Sequence, residues 1–327
     1  MDVFPVATST LSANALGEFL KEKYNFKDCT CELFRTGINH TYFISADMER
    51  YVLRIYFYNW RSESEIMEEI LLLNELKQVQ INISHPIADQ NGSYIQNIHA
   101  PEGMRHAVLF SFANGKKIRF MNEETCFAIG TLMAKIHKET QDKTIGRIHY
   151  NPETLLQQPY EYAKAHFSES LPEMQFVQKQ GQIIGENFKK MDLIHLAKGV
   201  VHLDIWYDNM NVADANEITI FDFDFCGNGL LVFDVAYFCK QLFHIETDKD
   251  RYELKAQSFL KGYQSIRKLS DAEIKFIPDA ATSIWIFYLG VQSQRFDWSN
   301  IFLTENYLKI YVGKMKSWMD YYSNKLS

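Results

Sequence analysis

The 327-residue chain reads as an α+β protein with two lobes, a small β-rich amino-terminal lobe (residues 1–112) and a larger helical lobe (residues 113–327). Three observations predict this. Between residues 30 and 112, five short runs rich in β-branched and aromatic residues are bounded by Gly, Asn and Pro turn signals. Beyond Phe112 the apolar residues recur at helical spacing over most of the remaining length. The length itself suits about two domains.

Composition excludes several alternatives. With 24 Phe, 18 Tyr and 5 Trp, the chain carries far more apolar area than a disordered one. The 15 Gly and 7 Pro exclude a collagen-like repeat. A net charge of −7 argues against nucleic acid as a partner, because a phosphate backbone demands a basic footprint. Apolar stretches such as residues 284–291 fall short of the roughly 20 residues a bilayer needs, so no membrane partner is expected. The opening Met1-Asp2-Val3-Phe4-Pro5 lacks a basic segment followed by an apolar one. Five cysteines, an odd set with no C-x-x-C pair, read as reduced thiols and point to the cytoplasm.

In order, the pattern predicts a helix over 11–23, with Leu11, Ala15, Phe19 and Leu20 on one face. Strands follow at 30–35, 41–46 and 51–58, then a helix over 62–78. Two more strands, 92–99 and 105–112, complete a five-stranded sheet. In the second lobe a helix is expected over 122–139 and a loop over 141–161, where Pro152 and Pro159 fall. A short strand pair is expected at 210–213 and 218–221, and strongly aromatic helices at 251–263, 271–290 and 304–323.

The chemistry-bearing segment is Val200-Val201-His202-Leu203-Asp204-Ile205-Trp206-Tyr207-Asp208-Asn209, followed by Phe221-Asp222-Phe223-Asp224. Its polar residues stand where an apolar strand ends, a usual place for functional groups. A hairpin turning at 215–216 pairs residue 211 with 220 and sets Asn209 beside Asp222. An amide oxygen and a carboxylate are the hard donors Mg²⁺ accepts, with water and phosphate completing its shell. Asp204, five residues before Asn209, stands where it could take the proton of a hydroxyl attacking a γ-phosphorus. No G-x-x-x-x-G-K-[ST], H-E-x-x-H, G-x-S-x-G or zinc-type Cys/His spacing occurs.

Taken together, His202-Leu203-Asp204 through Asn209, Phe221 to Asp224, the Gly227-Asn228-Gly229 turn and Asp234-Val235-Ala236 resemble the aminoglycoside phosphotransferase family, relatives of choline and homoserine kinases within the protein-kinase-like fold. The resemblance covers nearly the whole chain. It implies Asp204 as catalytic base, Asn209 and Asp222 as magnesium ligands, Asp224 nearby, and His202 and Asp234 as braces of the catalytic loop. Leu203 replaces the glycine usual at that place, so a backbone there with φ above zero would be strained.

In the amino-terminal lobe, the turn carrying Gly37 and Asn39 resembles the family's nucleotide-covering hairpin. Arg54 takes the place of the phosphate-binding lysine, keeping the charge and adding a fork. Glu69, on the following helix, is its expected partner. Phe112 and Asn114 belong to the segment that resembles the interlobe hinge, whose backbone would meet the adenine. The resemblance implies ATP, or GTP in its place, with Mg²⁺, and an acceptor that is a small molecule bearing a hydroxyl: an aminoglycoside, a choline-like alcohol, homoserine, or a sugar or thiamine alcohol. A protein Ser/Thr kinase of the same fold and a catalytically inactive nucleotide-binding protein are the alternatives. The aromatics Trp285, Tyr288, Phe296, Trp298, Tyr307, Tyr311 and Trp318 read as core, with one or two reaching the substrate to form a cation cage.

Overall fold

The computed structural model describes residues 4–190, 196–295 and 300–326. The chain gathers into two compact units, one of residues up to 115 together with 219–222, the other of residues 116–218 and 223–327.

In the first unit, α1 (Ala13–Tyr24) begins where the Ser12 side chain accepts the Ala15 N–H and ends at Asn25, which turns left-handed at φ 56°. The strands β1 (Cys29–Arg35), β2 (His40–Ala46) and β3 (Glu49–Ile55) run as an antiparallel meander. Helix α2 (Glu63–Gln78) opens with a capping box between Ser62 and Glu65. β4 (Pro86–Ile87), β5 (Ile95–Ala100) and β6 (Gly103–Ser111) complete the sheet in the order β1-β2-β3-β6-β4, with β5 also paired to β6. The sheet therefore has six strands where the sequence pattern predicts five. The extra strand is two residues long and held by pairing of Pro86 and Ile87 with Phe110 and Leu109, too short to leave a period-2 signal.

Alternation along β2 turns Tyr42, Ile44 and Ala46 inward. There they meet Leu16 and Leu20 of α1 with Leu53, Ile55, Ala107 and Leu109, a fully buried cluster that fixes the register of β3. The segment 219–222 is stitched to this unit: Ser84 N–H donates to Ile220 O at 2.9 Å and Ile220 N–H to Asn82 O at 3.2 Å.

The second unit begins with α3 (Glu123–Thr140), capped by Asn122. Residues 141–161 are not all loop. A π-helical stretch at Glu153–Gln157 runs into α4 (Gln158–Lys164), with Pro159 in the first turn of α4. A proline there loses no intrahelical bond, which is why it starts the helix instead of breaking it. Helix α5 (Pro172–Lys190) precedes β7 (Lys198–Val201). β8 (Met210–Val212) and β9 (Ile218–Ile220) flank a turn at Ala215–Asn216, both left-handed at φ 57°, the conformation a two-residue hairpin turn requires. β10 (Gly227–Leu230) pairs antiparallel with β7, Gly227 opposite Val201.

The helices α6 (Val232–Ile245), α7 (Lys249–Gln264), α8 (Asp271–Arg295) and α9 (Glu305–Leu326) close the unit. α3 and α7 touch backbone to backbone at Gly130 and Gly262, where an added Cβ would stand 2.1 Å from Phe259 O and 2.0 Å from Phe127 O. By length and composition α8 alone among the described helices could cross a membrane, yet 72% of its apolar window is buried inside the protein, as in a core helix.

Candidate active site

In the second unit the site is built on the loop that leaves β7. Its anchor is Asp234, fully buried in the first turn of α6. One carboxylate oxygen accepts the Leu203 N–H at 2.6 Å; the other accepts the His202 N–H at 2.8 Å and lies 3.0 Å from His137 Nε2. A carboxylate cannot donate, so the imidazole of His137 turns its Nε2–H to Asp234, while Nδ1 sits 2.7 Å from the Tyr263 hydroxyl. His202 is buried, accepts the Asp204 N–H on Nδ1 at 3.2 Å, and packs its ring on Phe223. His202 and Asp234 thus hold the loop from below. Leu203, between them, is fully buried at φ 60°, the left-handed conformation its glycine-like place implies.

Asp204 is oriented through both carboxylate oxygens. Tyr237, one turn after Asp234 on α6, donates its hydroxyl to Oδ1. Asn209 donates its amide nitrogen to Oδ2 at 2.6 Å and to the Asp204 backbone oxygen at 3.0 Å. Both acceptors are oxygens, so the amide must present nitrogen to Asp204, which turns its own carbonyl oxygen elsewhere. Burial, reinforced by the Asp204 charge, pushes the Tyr237 and Tyr288 phenols well above their usual range, which keeps both protonated as donors. The Tyr288 hydroxyl donates to Leu203 O at 3.1 Å. Asp224 is buried, and Arg147 donates to its backbone carbonyl.

Lys240 lies one turn beyond Tyr237 and is only 3% exposed. Its ammonium stands 4.1 Å from the Tyr237 ring centre, 5.2 Å from Trp285 and 5.8 Å from Tyr288. The aromatic box that the sequence offers to a cationic substrate is filled here by the chain's own lysine. Burial brings that amine down to about 7, against the pull of Asp204 and with the help of Lys314. Trp318 and Tyr311 are buried core, Tyr311 bonding Trp285 O at 2.8 Å, and Tyr307 stacks on Tyr311. Phe296 and Trp298 lie outside the described residues.

In the first unit, Arg54 forms a bridge. One guanidinium nitrogen donates to Glu69 at 2.7 Å, the other to Asp222 at 2.9 Å. Glu69 is fully buried and also accepts the Tyr56 hydroxyl at 3.0 Å, and the guanidinium lies over the Phe110 ring. Asp222 has φ 67° and a side chain 44% exposed. Asn39 accepts the Phe57 N–H at 3.2 Å, closing the β1–β2 turn against the end of β3. Gly37 has room for a Cβ, whose nearest contact would be 3.8 Å away, so neither packing nor left-handed backbone demands glycine there. Phe112 packs edge-on to Phe43 beneath the Arg50 guanidinium, and Asn114 is exposed. Among the described residues, no three His, Cys, Asp or Glu side chains cluster as a metal cage.

Tyr237, Lys240, His137 and Arg147 are site residues that sequence spacing did not single out. Tyr237 was within reach, since it follows Asp234 by three residues on a helix and must share its face.

Solved structures that share this fold are kinase-like phosphotransferases. An amicoumacin kinase in complex with AMP-PNP, Ca²⁺ and Ami superposes with a TM-score of 0.77 at 19% identity, over 95% of this chain and 94% of that one. Homoserine kinase of Bartonella tribocorum is 25% identical across 80% of this chain and 79% of its own length. An uncharacterised protein of Synechocystis sp. is 28% identical across 89% of this chain and 81% of its own. The profile of the APH phosphotransferase enzyme family matches residues 30–269, and the chain belongs to that family. It is a small-molecule phosphotransferase, with a hydroxyl group as acceptor.

Proposed function

We propose that the enzyme moves the γ-phosphoryl group of ATP, or of GTP in its place, to a hydroxyl of a small molecule, with Asp204 as base. The observation that carries this reading is the orientation of Asp204 by Tyr237 and Asn209 on a loop clamped by Asp234. Asp204 takes the proton of the acceptor hydroxyl as its oxygen bonds to the γ-phosphorus and the bond to the leaving nucleoside diphosphate breaks. Tyr237 and Asn209 keep the carboxylate in one rotamer, so no reorientation is needed when the acceptor arrives.

The donor set fits Mg²⁺: the Asn209 carbonyl oxygen is left over once its nitrogen serves Asp204, and Asp222 offers a half-exposed carboxylate. Bound there, the ion would neutralise charge on the nucleotide phosphates. Arg54, fixed by Glu69, would contact those phosphates, and Gly37, Asn39, Phe112 and Asn114 belong to the nucleotide side of the site. Asp224 supports the metal-binding segment from the buried side. Homoserine and amicoumacin, acted on by the two relatives above, mark the range of acceptors. The five unpaired cysteines suit a reducing compartment, and we place the enzyme in the cytoplasm.

ATP consumption by the purified enzyme against a library of hydroxylated metabolites tests the reading. Asp204→Asn should lower turnover by about 10²–10⁴-fold with nucleotide affinity nearly unchanged. Full activity in that variant would remove Asp204 from the role of base.

A further inference from the structure

A cavity of about 520 Å³ opens between the carboxy-terminal end of α6 and the middle of α9, with Trp285 of α8 in its wall, and carries His244, Lys249 and Lys314. Its field is cationic. Burial brings the His244 imidazole down to about 4, and Lys314, Lys240, Arg119 and Lys249 all push it the same way. The acid on the wall, Glu246, is 6% exposed and already paired with Lys255. Lys249 is held by two backbone oxygens, Phe243 O and Glu246 O, each at 2.9 Å. Among the described residues, neither Lys240 nor Lys314 makes an ion pair or a hydrogen bond.

Side-chain contacts lead from the cavity to the proposed base. Tyr237 bonds Asp204, Lys240 rests on the Tyr237 and Trp285 rings, and Trp285 lines the cavity. Tyr237, Lys240 and His244 follow one face of α6, so the cavity begins about 10 Å along the helix from Tyr237 at 1.5 Å per residue. Lys240 feels the charges of both Asp204 and Lys314, so an alcohol whose hydroxyl reaches Asp204 has both ammonium groups on this side of the base.

We propose that the acceptor is an alcohol that also carries an anionic group, a carboxylate or a phosphate, held by Lys240 and Lys314. This rests on Asp204 being the base. Two buried or half-buried ammonium groups, neither in an ion pair among the described residues and only Lys240 within the pull of Asp204, are costly, and an anion is the ligand that relieves both. Conversely, the aromatic box already holds a cation, so a quaternary ammonium or aminoglycoside would meet like charge where other proteins offer a cage.

The test uses the full-length enzyme with Mg-ATP and three sets of alcohols: hydroxy acids (glycerate, 4-hydroxybutyrate), sugar phosphates (ribose 5-phosphate), and cationic or neutral compounds (choline, kanamycin, glycerol). Calorimetric binding of the same compounds runs in parallel. Transfer and binding are expected with the anionic sets, and the two anionic arms tell carboxylate from phosphate. Lys240→Met and, independently, Lys314→Met should raise KM or Kd for the anionic compound at least tenfold and leave KM for ATP within twofold. Transfer confined to choline, kanamycin or glycerol, or anionic compounds whose KM neither variant changes, would overturn the proposal while leaving phosphotransfer intact. Lysine-dependent binding of the anionic compounds without transfer to any alcohol would instead uphold the anion site and remove the phosphotransfer role of Asp204.

Discussion

Leu203 donates its backbone N–H to Asp234 at 2.6 Å while standing at φ 60° with its side chain fully buried. A left-handed leucine costs about 1–2 kcal/mol of backbone strain, so something must over-determine the turn. Asp234 does so by accepting two successive amides, those of His202 and Leu203, from a carboxylate that is itself immobilised by His137. The burial of the leucine side chain adds a second hold that glycine could not supply.

Asp234→Ala should therefore be among the most damaging single changes. It leaves two buried amides and an imidazole N–H without acceptors, at a cost of about 3 kcal/mol or more. Chemical denaturation should show the lower midpoint, and turnover should fall in the surviving folded enzyme because Asp204 loses its fixed position. A variant with unchanged midpoint and rate would show that the leucine packing alone holds the loop.

Leu203→Gly separates the two holds. Relief of strain offsets only part of the lost burial, a fully buried leucine being worth about 2–5 kcal/mol when truncated. The expected result is a net destabilisation of about 1–3 kcal/mol by denaturant titration. A more stable glycine variant would mean that the strain outweighs the packing.

The two halves of this site differed in how much the sequence disclosed. Asp204, Asn209 and Asp222 stand out because polar residues at set spacings interrupt otherwise apolar runs, and Asp234 is reached only through the family resemblance. The strands of the first unit other than β4, whose two residues carry no period, follow from alternation, and α1, α2, α3, α7, α8 and α9 from helical periodicity, whereas α5, α6 and the β7–β10 pair are not singled out. Lys240 was illegible for the opposite reason. It sits in the apolar run of α6 as one charge among core residues, and its box is completed by Trp285 and Tyr288 from a helix far along the chain. Likewise His137 reaches Asp234 only through the tertiary packing of α3. The spacing 204-209-222 names a chemistry, but partners that tune it come from elements whose neighbours no local pattern specifies.

Arg54 lies between Glu69 and Asp222, and Glu69 is fully buried. Arg54→Met takes the guanidinium away from that buried carboxylate, which the Tyr56 hydroxyl also contacts, a loss of about 3–5 kcal/mol. Adding Glu69→Gln should restore much of the stability, since the uncompensated charge is then gone, and a double-mutant cycle measures the coupling. The KM for ATP should rise in Arg54→Met and stay raised in the double variant, as the proposed contact of the guanidinium with the phosphates requires. Additive stabilities would show that the pair is not coupled.

The backbone contact of α3 with α7 predicts a purely steric lesion. Gly130→Ala or Gly262→Ala would set a methyl carbon 2.1 or 2.0 Å from a carbonyl oxygen of the facing helix, and that oxygen cannot swing aside. The helices must separate, which should cost about 3 kcal/mol in thermal or denaturant unfolding. Gly313→Ala on α9, where nothing lies within 4 Å, is the matched control and should be neutral or slightly stabilising. Equal stabilities across the set would show that α3 and α7 are not so closely seated.

Lys240 gives the enzyme a pH signature whose sign follows from linkage. Its amine titrates near 7 in the folded protein against the usual 10.5, so between those values the unfolded chain holds the extra proton. For this group stability therefore rises with pH from about 7 toward 10.5, and below 7 the cost of burying the charge is felt in full. Lys240→Met removes that cost while keeping most of the volume. The variant should be the more stable protein at pH 6, with an advantage that shrinks through pH 8 and 9. Denaturation midpoints of both proteins at pH 6, 7.5 and 9 measure the trend, in the absence of any anionic alcohol. The buried phenols of Tyr237 and Tyr288 act only above about pH 10 and are common to both proteins, so they cancel in the difference. A difference that stays constant from pH 6 to 9 would mean that the Lys240 ammonium is as well solvated inside its aromatic box as in water.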